Sequence, residues 1–441
     1  MNAHLVIDLM NGDGGKGITT DRLASNLYKA LVIRFNGGQN AGHTVVLEDG
    51  TRHVFANFGS GTLRGVPTYW SKYCTCHPNG FVKEYDMLVE LGFTPELYMD
   101  NLAMITTPYD ILYNQALEKS RQADGAHGSM GVGFGTTIER NQTPYKLHAQ
   151  DILNPTVLKQ KLASVFYYYD EKVINSKNPA LEKYWNQWDF GTAKDWFIAS
   201  VERIKQMATI HFVSETNFWG AGGSGIHRYE NLIFEGSQGI MLDMDFGYFP
   251  NVSRSNCTSK NAMELLTKYF PLAEFDYNGI QNKVSVNYVT RAYQTRHGNG
   301  YMTNEEKELN VRKNPIETNT SGEWQGDFRR TQLDFDMLNY SLTADANFSG
   351  DIHIERNLVV ICLDQVDGYI RATAKGKELE INPEHMEYFL SHLDTRFYRL
   401  VLSKSDCSDK MENYEVWNLD EGIEIRKNEH HRDFAKANQE A

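Results

Sequence analysis

Asp13, Lys16 and His43 are the residues around which chemistry can be built. They sit in two glycine-rich stretches within the first fifty positions, Gly12-Asp13-Gly14-Gly15-Lys16-Gly17 and Gly37-Gly38-Gln39-Asn40-Ala41-Gly42-His43-Thr44. Glycines let backbone N–H groups approach a polyphosphate, Lys16 supplies a cation, and the helix expected to follow points its anion-favouring N-terminus at the loop. A carboxylate in such a turn repels phosphate unless it binds a metal or acts as a base, which makes Asp13 the informative residue. The common phosphate loop places four residues between its first Gly and the Gly-Lys-Ser/Thr. The spacing here is different, so this is another kind of cradle.

The elements that must position these residues are legible from periodicity. Leu5-Val6-Ile7 reads as a strand, Thr19 to Lys29 as a helix with Leu23 and Leu27 on one face, and Ala30 to Phe35 as the returning strand, a βαβ-like opening. Val45 to Phe55 reads as a hairpin around Asp49-Gly50, able to carry the His43 loop as a lid. Helical spacing dominates 78–122, with segments Phe81–Leu91 and Asp110–Arg121, and again 152–216, where Tyr167, Trp185, Trp188 and Trp196 are expected in the core. The Gly-rich run around Ser129 suggests a backbone nest for an anion. Leu232 to Glu235 is a strand ending in the turn Gly236-Ser237-Gln238-Gly239, where an open parallel sheet binds ligands. Leu358 to Leu363 is a buried-looking strand ending in Asp364. The expectation is an α/β fold with a mostly parallel central sheet flanked by helices. Residues 1–426 form one large domain with insertions at about 78–122 and 152–216, followed by a polar tail at 427–441.

Composition narrows the function. A 41% hydrophobic and 23% charged chain is globular rather than disordered. A formal net charge of −13 argues against nucleic acid and anionic membranes as partners, so an anionic nucleotide needs a focused site. No apolar run of membrane-spanning length occurs and Met1-Asn2-Ala3-His4 has no basic leader, which points to the cytoplasm. The five cysteines are too sparse for a disulfide framework.

The two opening loops together resemble the adenylosuccinate synthetase family, whose first loop usually reads W-G-D-E-G-K-G and whose second reads G-G-x-N-A-G-H-T. The first departs from that pattern at Asn11 and Gly14. Further blocks are similar: Phe234 to Asp243 resembles F-E-G-A-Q-G-x-x-L-D, Tyr248 to Asn256 resembles Y-P-x-V-T-S-S-N, and Ala292 to Gly300 resembles A-Y-x-T-R-V-G-x-G. Asn319 to Arg330 looks like a split aspartate-capturing loop, whose hydroxyls and guanidinium groups suit a dicarboxylate.

The resemblance implies the family's P-loop-NTPase-like fold and the GTP- and Mg²⁺-dependent joining of L-aspartate to C6 of a 6-oxopurine nucleotide. In purine biosynthesis this is IMP going to adenylosuccinate through a 6-phosphoryl intermediate. It implies Asp13 and His43 as catalytic residues, with Asp13 and the Gly42 carbonyl at the metal. Gly12, Gly14, Gly15, Lys16, Gly17 and Thr44 fall to the GTP phosphates and Asp364 to guanine. Asn40, Ser129, Met130, Gln238 and Ser253 fall to the acceptor nucleotide, and Thr320, Ser321, Arg329 and Arg330 to aspartate. We add Arg254 to the acceptor group, from its neighbourhood, as a phosphate charge. The family also implies a homodimer. Two alternatives stand beside this reading: (d)GMP as acceptor, as in a phage branch of the family, and a non-catalytic nucleotide-binding protein on the same fold.

Overall fold

The computed structural model describes residues 1–121, 129–220, 222, 225–270, 283–312, 314–317, 319, 324, 326–350, 352–420 and 422–428. Its centre is an eleven-stranded sheet. Across the sheet the strands run Gly422–Lys427, Glu412–Leu419, Arg399–Leu402, Ile354–Ile361, Val284–Arg291, Asn2–Asp8, Asn231–Glu235, Ala30–Arg34, Thr68–Trp70, Leu97–Asp100 and Ile210–Val213. All neighbours are parallel except at one edge, where Glu412–Leu419 pairs antiparallel with both Arg399–Leu402 and Gly422–Lys427.

Asn2–Asp8 occupies the middle because both of its faces are apolar. Ala3, Leu5 and Ile7 pack into one core cluster and Val6 into the cluster on the opposite face. Each of the buried Leu5, Val6 and Ile7 side chains contributes roughly 1.5–3 kcal/mol of transfer free energy. The strand pairs with Asn231–Glu235 on one side and Val284–Arg291 on the other, through Val6↔Glu235 and Asp8↔Val289. The chain then leaves the sheet at Asp8 and enters the helix Lys16–Asn26, so the first glycine loop lies beyond the carboxyl ends of the strands. That is where an open α/β sheet presents a ligand crevice.

Several sequence expectations need adjustment. The hairpin pairs His43–Val46 with Arg52–Phe55, so His43 is itself a strand residue rather than part of a free loop. It lies close against the first helix: a Cβ on Gly17 would come within 2.9 Å of the His43 side chain, so only glycine allows this approach. The insertion helices are Pro78–Glu90, Pro108–Ser120, Pro155–Ser176, Pro179–Trp185 and Phe190–Lys205. Of their aromatic residues, Trp185 is fully buried, whereas Tyr167 and Trp196 are 66% and 68% exposed and are not core. Helical spacing alone could not tell which face of each helix is covered. Residues 427–428 complete the edge strand and its flank, and 429–441 lie outside the described residues. Among the described residues no helix is long and apolar enough to cross a membrane.

Candidate functional site

A cavity of about 820 Å³ opens beyond the strand ends, between the first glycine loop, the His43 hairpin, the Ser129 segment and the segments 249–254 and 291–299. Its phosphate loop is built on Asp8. The Asp8 carboxylate accepts from Met10 N at 2.9 Å, from Gly14 N at 2.7 Å and from Lys16 Nζ at 2.9 Å, all buried. A Cβ at position 14 would fall 2.7 Å from Asp8 Oδ2. Gly14 is therefore required here because the Asp8 carboxylate fills the space that a residue-14 side chain would enter. This corrects one expectation: the Gly14 N–H is spent on Asp8 and is not among the cavity-lining groups. Lys16 does line the cavity, and its ammonium has donors beyond the one given to Asp8. Asp8→Asn leaves that buried ammonium without a counter-charge and is expected to cost about 3–5 kcal/mol. Denaturant unfolding measures this, and unchanged stability would show that the pair contributes nothing.

His43 is anchored from behind. Its Nδ1 lies 2.7 Å from Glu235 Oε1, and Glu235 also accepts from Ser60 N at 3.0 Å and from the Ser60 hydroxyl. Glu235 ends its strand beside Arg34, its register partner. Burial pushes the Glu235 carboxyl up, but His43, Arg34 and Ser60 outweigh it and hold the group below the usual carboxylate range. Burial holds His43 below its ordinary value, against the pull of Glu235 and aided by the Arg34 and Lys16 charges. The pair is thus a neutral imidazole donating Nδ1–H to a carboxylate, which leaves Nε2 as the nitrogen for a ligand.

Asp13 is held at both ends. Its backbone lies in the left-handed region at φ 59°, and its carbonyl accepts from Arg291 Nε at 2.7 Å. Its Oδ2 lies 3.4 Å from His297 Nε2. Burial raises the Asp13 carboxyl, but the His297 hydrogen bond and the charges of Arg291, His297 and Lys16 bring it below its ordinary value, so it is ionised. For His297, burial is outweighed by Asp13, and its value is raised.

Most of the candidates converge on this one cavity. Gly12, Asp13, Gly15, Lys16, Gly17, Asn40, Gly42, His43, Thr44, Ser129, Met130, Gln238, Ser253, Arg254 and Asp364 all line it. Asn40 Oδ1 and Gln238 Nε2 are buried there without a hydrogen-bond partner among the described residues. Buried polar atoms are ordinarily satisfied, so orphans facing a cavity point to a polar ligand. The Ser129 hydroxyl donates to Asn114 Oδ1 at 2.9 Å and accepts from Gly131 N at 3.0 Å, and Ser253 donates to Gln238 Oε1 at 3.5 Å. Arg254 is exposed and ion-paired to Glu139, which offsets the charge expected of it. Asp364 follows the left-handed Cys362 at the end of Ile354–Ile361, and burial, with the Asp406 charge, pushes its carboxyl up.

Arg329 and Arg330 do not line the cavity. They sit on Phe328–Thr331, opposite Arg296 and Thr295, with Arg329 bound to Glu305 and to the Gly300 carbonyl. Thr320 and Ser321 lie outside the described residues. Residues that the motifs did not single out are Asp8, Glu235, Arg291 and His297. The readable signal for two of them was an acid closing an apolar run, Leu5-Val6-Ile7 before Asp8 and Leu232-Ile233-Phe234 before Glu235.

Comparisons with known proteins agree with this geometry. The family model for adenylosuccinate synthetase matches residues 5–392. A curated adenylosuccinate synthetase from Coxiella burnetii is 32% identical over 307 residues, 67% of this chain and 63% of that protein. One from Ralstonia nicotianae is 31% identical over 262 residues, 58% of this chain and 55% of that protein. The matched part thus spans less than two thirds of these relatives' length. In fold, the chain is similar to the fully ligated adenylosuccinate synthetase of Plasmodium falciparum, with TM-score 0.63 at 18% identity over 93% of this chain and 99% of that one. It is also similar to the Cyanophage S-2L succinoaminodeoxyadenylate synthetase bound to dGMP and dATP, with TM-score 0.56 at 15% identity over 93% and 94%. With residues 5–392 of its 441 matched by one family model, the chain belongs to the adenylosuccinate synthetase family.

Proposed function

We propose that this protein joins L-aspartate to C6 of a 6-oxopurine nucleotide, with IMP as the first acceptor and GTP as the phosphoryl donor. The observation that carries the reading is the pairing, in one cavity, of an ionised Asp13 with a neutral, carboxylate-anchored His43 beside a glycine loop. The Asp13 carboxylate takes the N1 proton of the purine, which makes O6 a nucleophile toward the γ-phosphorus. The bond from O6 to that phosphorus forms as the bond to the bridging oxygen breaks and GDP leaves. His43, at the bridging oxygen, supports the developing charge once the bound phosphates favour a proton on Nε2, the Glu235 carboxylate behind it stabilising the imidazolium. The aspartate amino group then attacks C6 and displaces the phosphate.

Asp13 and the Gly42 carbonyl offer two hard oxygen donors, a set that suits Mg²⁺, which keeps water and substrate phosphates as its other ligands. Bound there, the cation would neutralise phosphate charge. Among the described residues no group of three His, Cys, Asp or Glu side chains could hold a metal ion. Asp364 would read guanine, and Asn40, Ser129, Met130, Gln238, Ser253 and Arg254 would surround the acceptor. Thr320, Ser321, Arg329 and Arg330 would bind aspartate, as the family resemblance implies. A cytoplasmic homodimer is the corresponding assembly, inferred from family resemblance.

The second reading takes (d)GMP as acceptor. It is favoured by Met130, which stands beside Ser129 where the family carries a second hydroxyl, and the cyanophage relative in fold binds dGMP. Competition among IMP, GMP and dGMP, read as GTP- and aspartate-dependent phosphate release, decides between them. Turnover of IMP is expected, and turnover of dGMP with none of IMP would establish the second reading. No aspartate-dependent release with any acceptor would leave a non-catalytic nucleotide-binding protein.

A further inference from the structure

We propose that His297 is the positioning residue of Asp13: its Nε2–H holds one carboxylate oxygen and thereby aims the other at the proton to be removed. This rests on the reading of Asp13 as the base.

Nε2 of His297 faces two acceptors, Asp13 Oδ2 at 3.4 Å and Asn319 Oδ1 at 3.3 Å. Because both are acceptors, Nε2 carries its hydrogen whether the ring is neutral or charged. The donor is shared, and both distances are longer than an unshared N–H···O bond, a pattern that tightens when a catalytic site fills. Nδ1 of the same ring is buried and has no partner among the described residues. The ring stacks at a tilt on Phe328, with 4.9 Å between centroids, which fixes its plane.

The contact is one link in a closed circuit. Asn319 donates from N and Nδ2 to Glu317 Oε1 at 3.1 and 3.0 Å, Glu317 Oε2 accepts from Arg291 Nη1 at 2.9 Å, and Arg291 Nε returns to the Asp13 carbonyl at 2.7 Å. Arg291 thus holds the left-handed backbone of Asp13, and His297 holds its side chain. The terminal torsion of a carboxylate is broad and two-fold, so without a fixed donor neither oxygen has a settled direction. Among the described residues His297 Nε2, 3.4 Å away, is the one side-chain partner of that carboxylate. The family pattern carries Val at this place, so the device belongs to this chain's own residues.

The test compares His297→Val with His297→Gln, whose amide N–H can stand in for Nε2–H. Valine is expected to lower kcat about 100-fold, the scale of a misaimed catalytic group, and to leave both nucleotide KM values within about threefold. Glutamine is expected to recover most of the loss. A valine variant with full kcat, a loss seen in KM alone, or a loss that glutamine does not repair would overturn the proposal. A spectroscopic arm is independent of turnover: the ¹H–¹⁵N resonance of the His297 Nε2–H in the full-length protein should shift when Asp13 is replaced by Asn. If wild type turns over no acceptor, the functional reading fails by itself, and this resonance still decides whether His297 holds Asp13. An unshifted resonance contradicts the hold.

Discussion

Asp13→Asn is expected to remove aspartate-dependent phosphate release, lowering kcat by about 10²–10⁴-fold, the range for loss of a general base. The amide keeps the shape of the carboxylate and cannot accept the N1 proton. Nucleotide binding should survive. The phosphate loop is braced by Asp8, not Asp13, and the Asp13 backbone is held through its carbonyl by Arg291. Removing a negative charge from a phosphate cradle lowers repulsion but also removes one oxygen donor to Mg²⁺, so the GTP KM at saturating Mg²⁺ is expected to change little. Pre-steady-state phosphate release and equilibrium GTP binding, measured on the same preparation, separate these effects. Weakened binding with an unchanged rate after substrate saturation would mean that Asp13 serves the cradle and not the chemistry.

The second large effect is expected at Glu235. Glu235→Gln preserves volume and removes the anion that faces His43, Ser60 and the neighbouring Arg34. His43 then loses the carboxylate that fixes its Nδ1–H tautomer and would support an imidazolium beside a phosphate. A fall in kcat of about 10²–10³-fold follows, on the scale of losing one preorganised electrostatic group. Breaking a buried charge arrangement from one side also destabilises by about 3–5 kcal/mol. Thermal unfolding should therefore show a lower midpoint along with the slower turnover. Ser60→Ala is the control, since it deletes one hydroxyl donor and leaves the carboxylate and His43 in place. A Glu235→Gln protein that melts lower yet turns over normally would show that the pair is structural.

Much of this arrangement was readable in advance, for identifiable reasons. The glycine loops announce themselves because backbone approach and left-handed turns demand glycine, and Gly12 and Gly15 do carry positive φ values. The parallel sheet was legible because its central strands are apolar on both faces. The buried partners were not, since they come from residues distant in the chain. Glu235 meets His43 from 192 residues away, and Lys16 meets Asp8 across a turn whose outcome depends on the absence of a side chain at position 14. His297 gave no local sign of reaching Asp13, because that contact exists only once the strands ending at Asp8 and Arg291 lie side by side. Tyr167 and Trp196 misled for the converse reason: periodicity marks an apolar stripe without saying whether anything covers it.

On this mechanism O6 of the acceptor is phosphorylated before it leaves C6. An acceptor nucleotide labelled with oxygen-18 at C6 tests this most directly, with the inorganic phosphate released in the presence of GTP, Mg²⁺ and aspartate analysed by mass spectrometry. The label is expected in the phosphate, one oxygen-18 for each product formed. Product formed with unlabelled phosphate would contradict the mechanism, because O6 would then have left C6 without ever bonding to phosphorus.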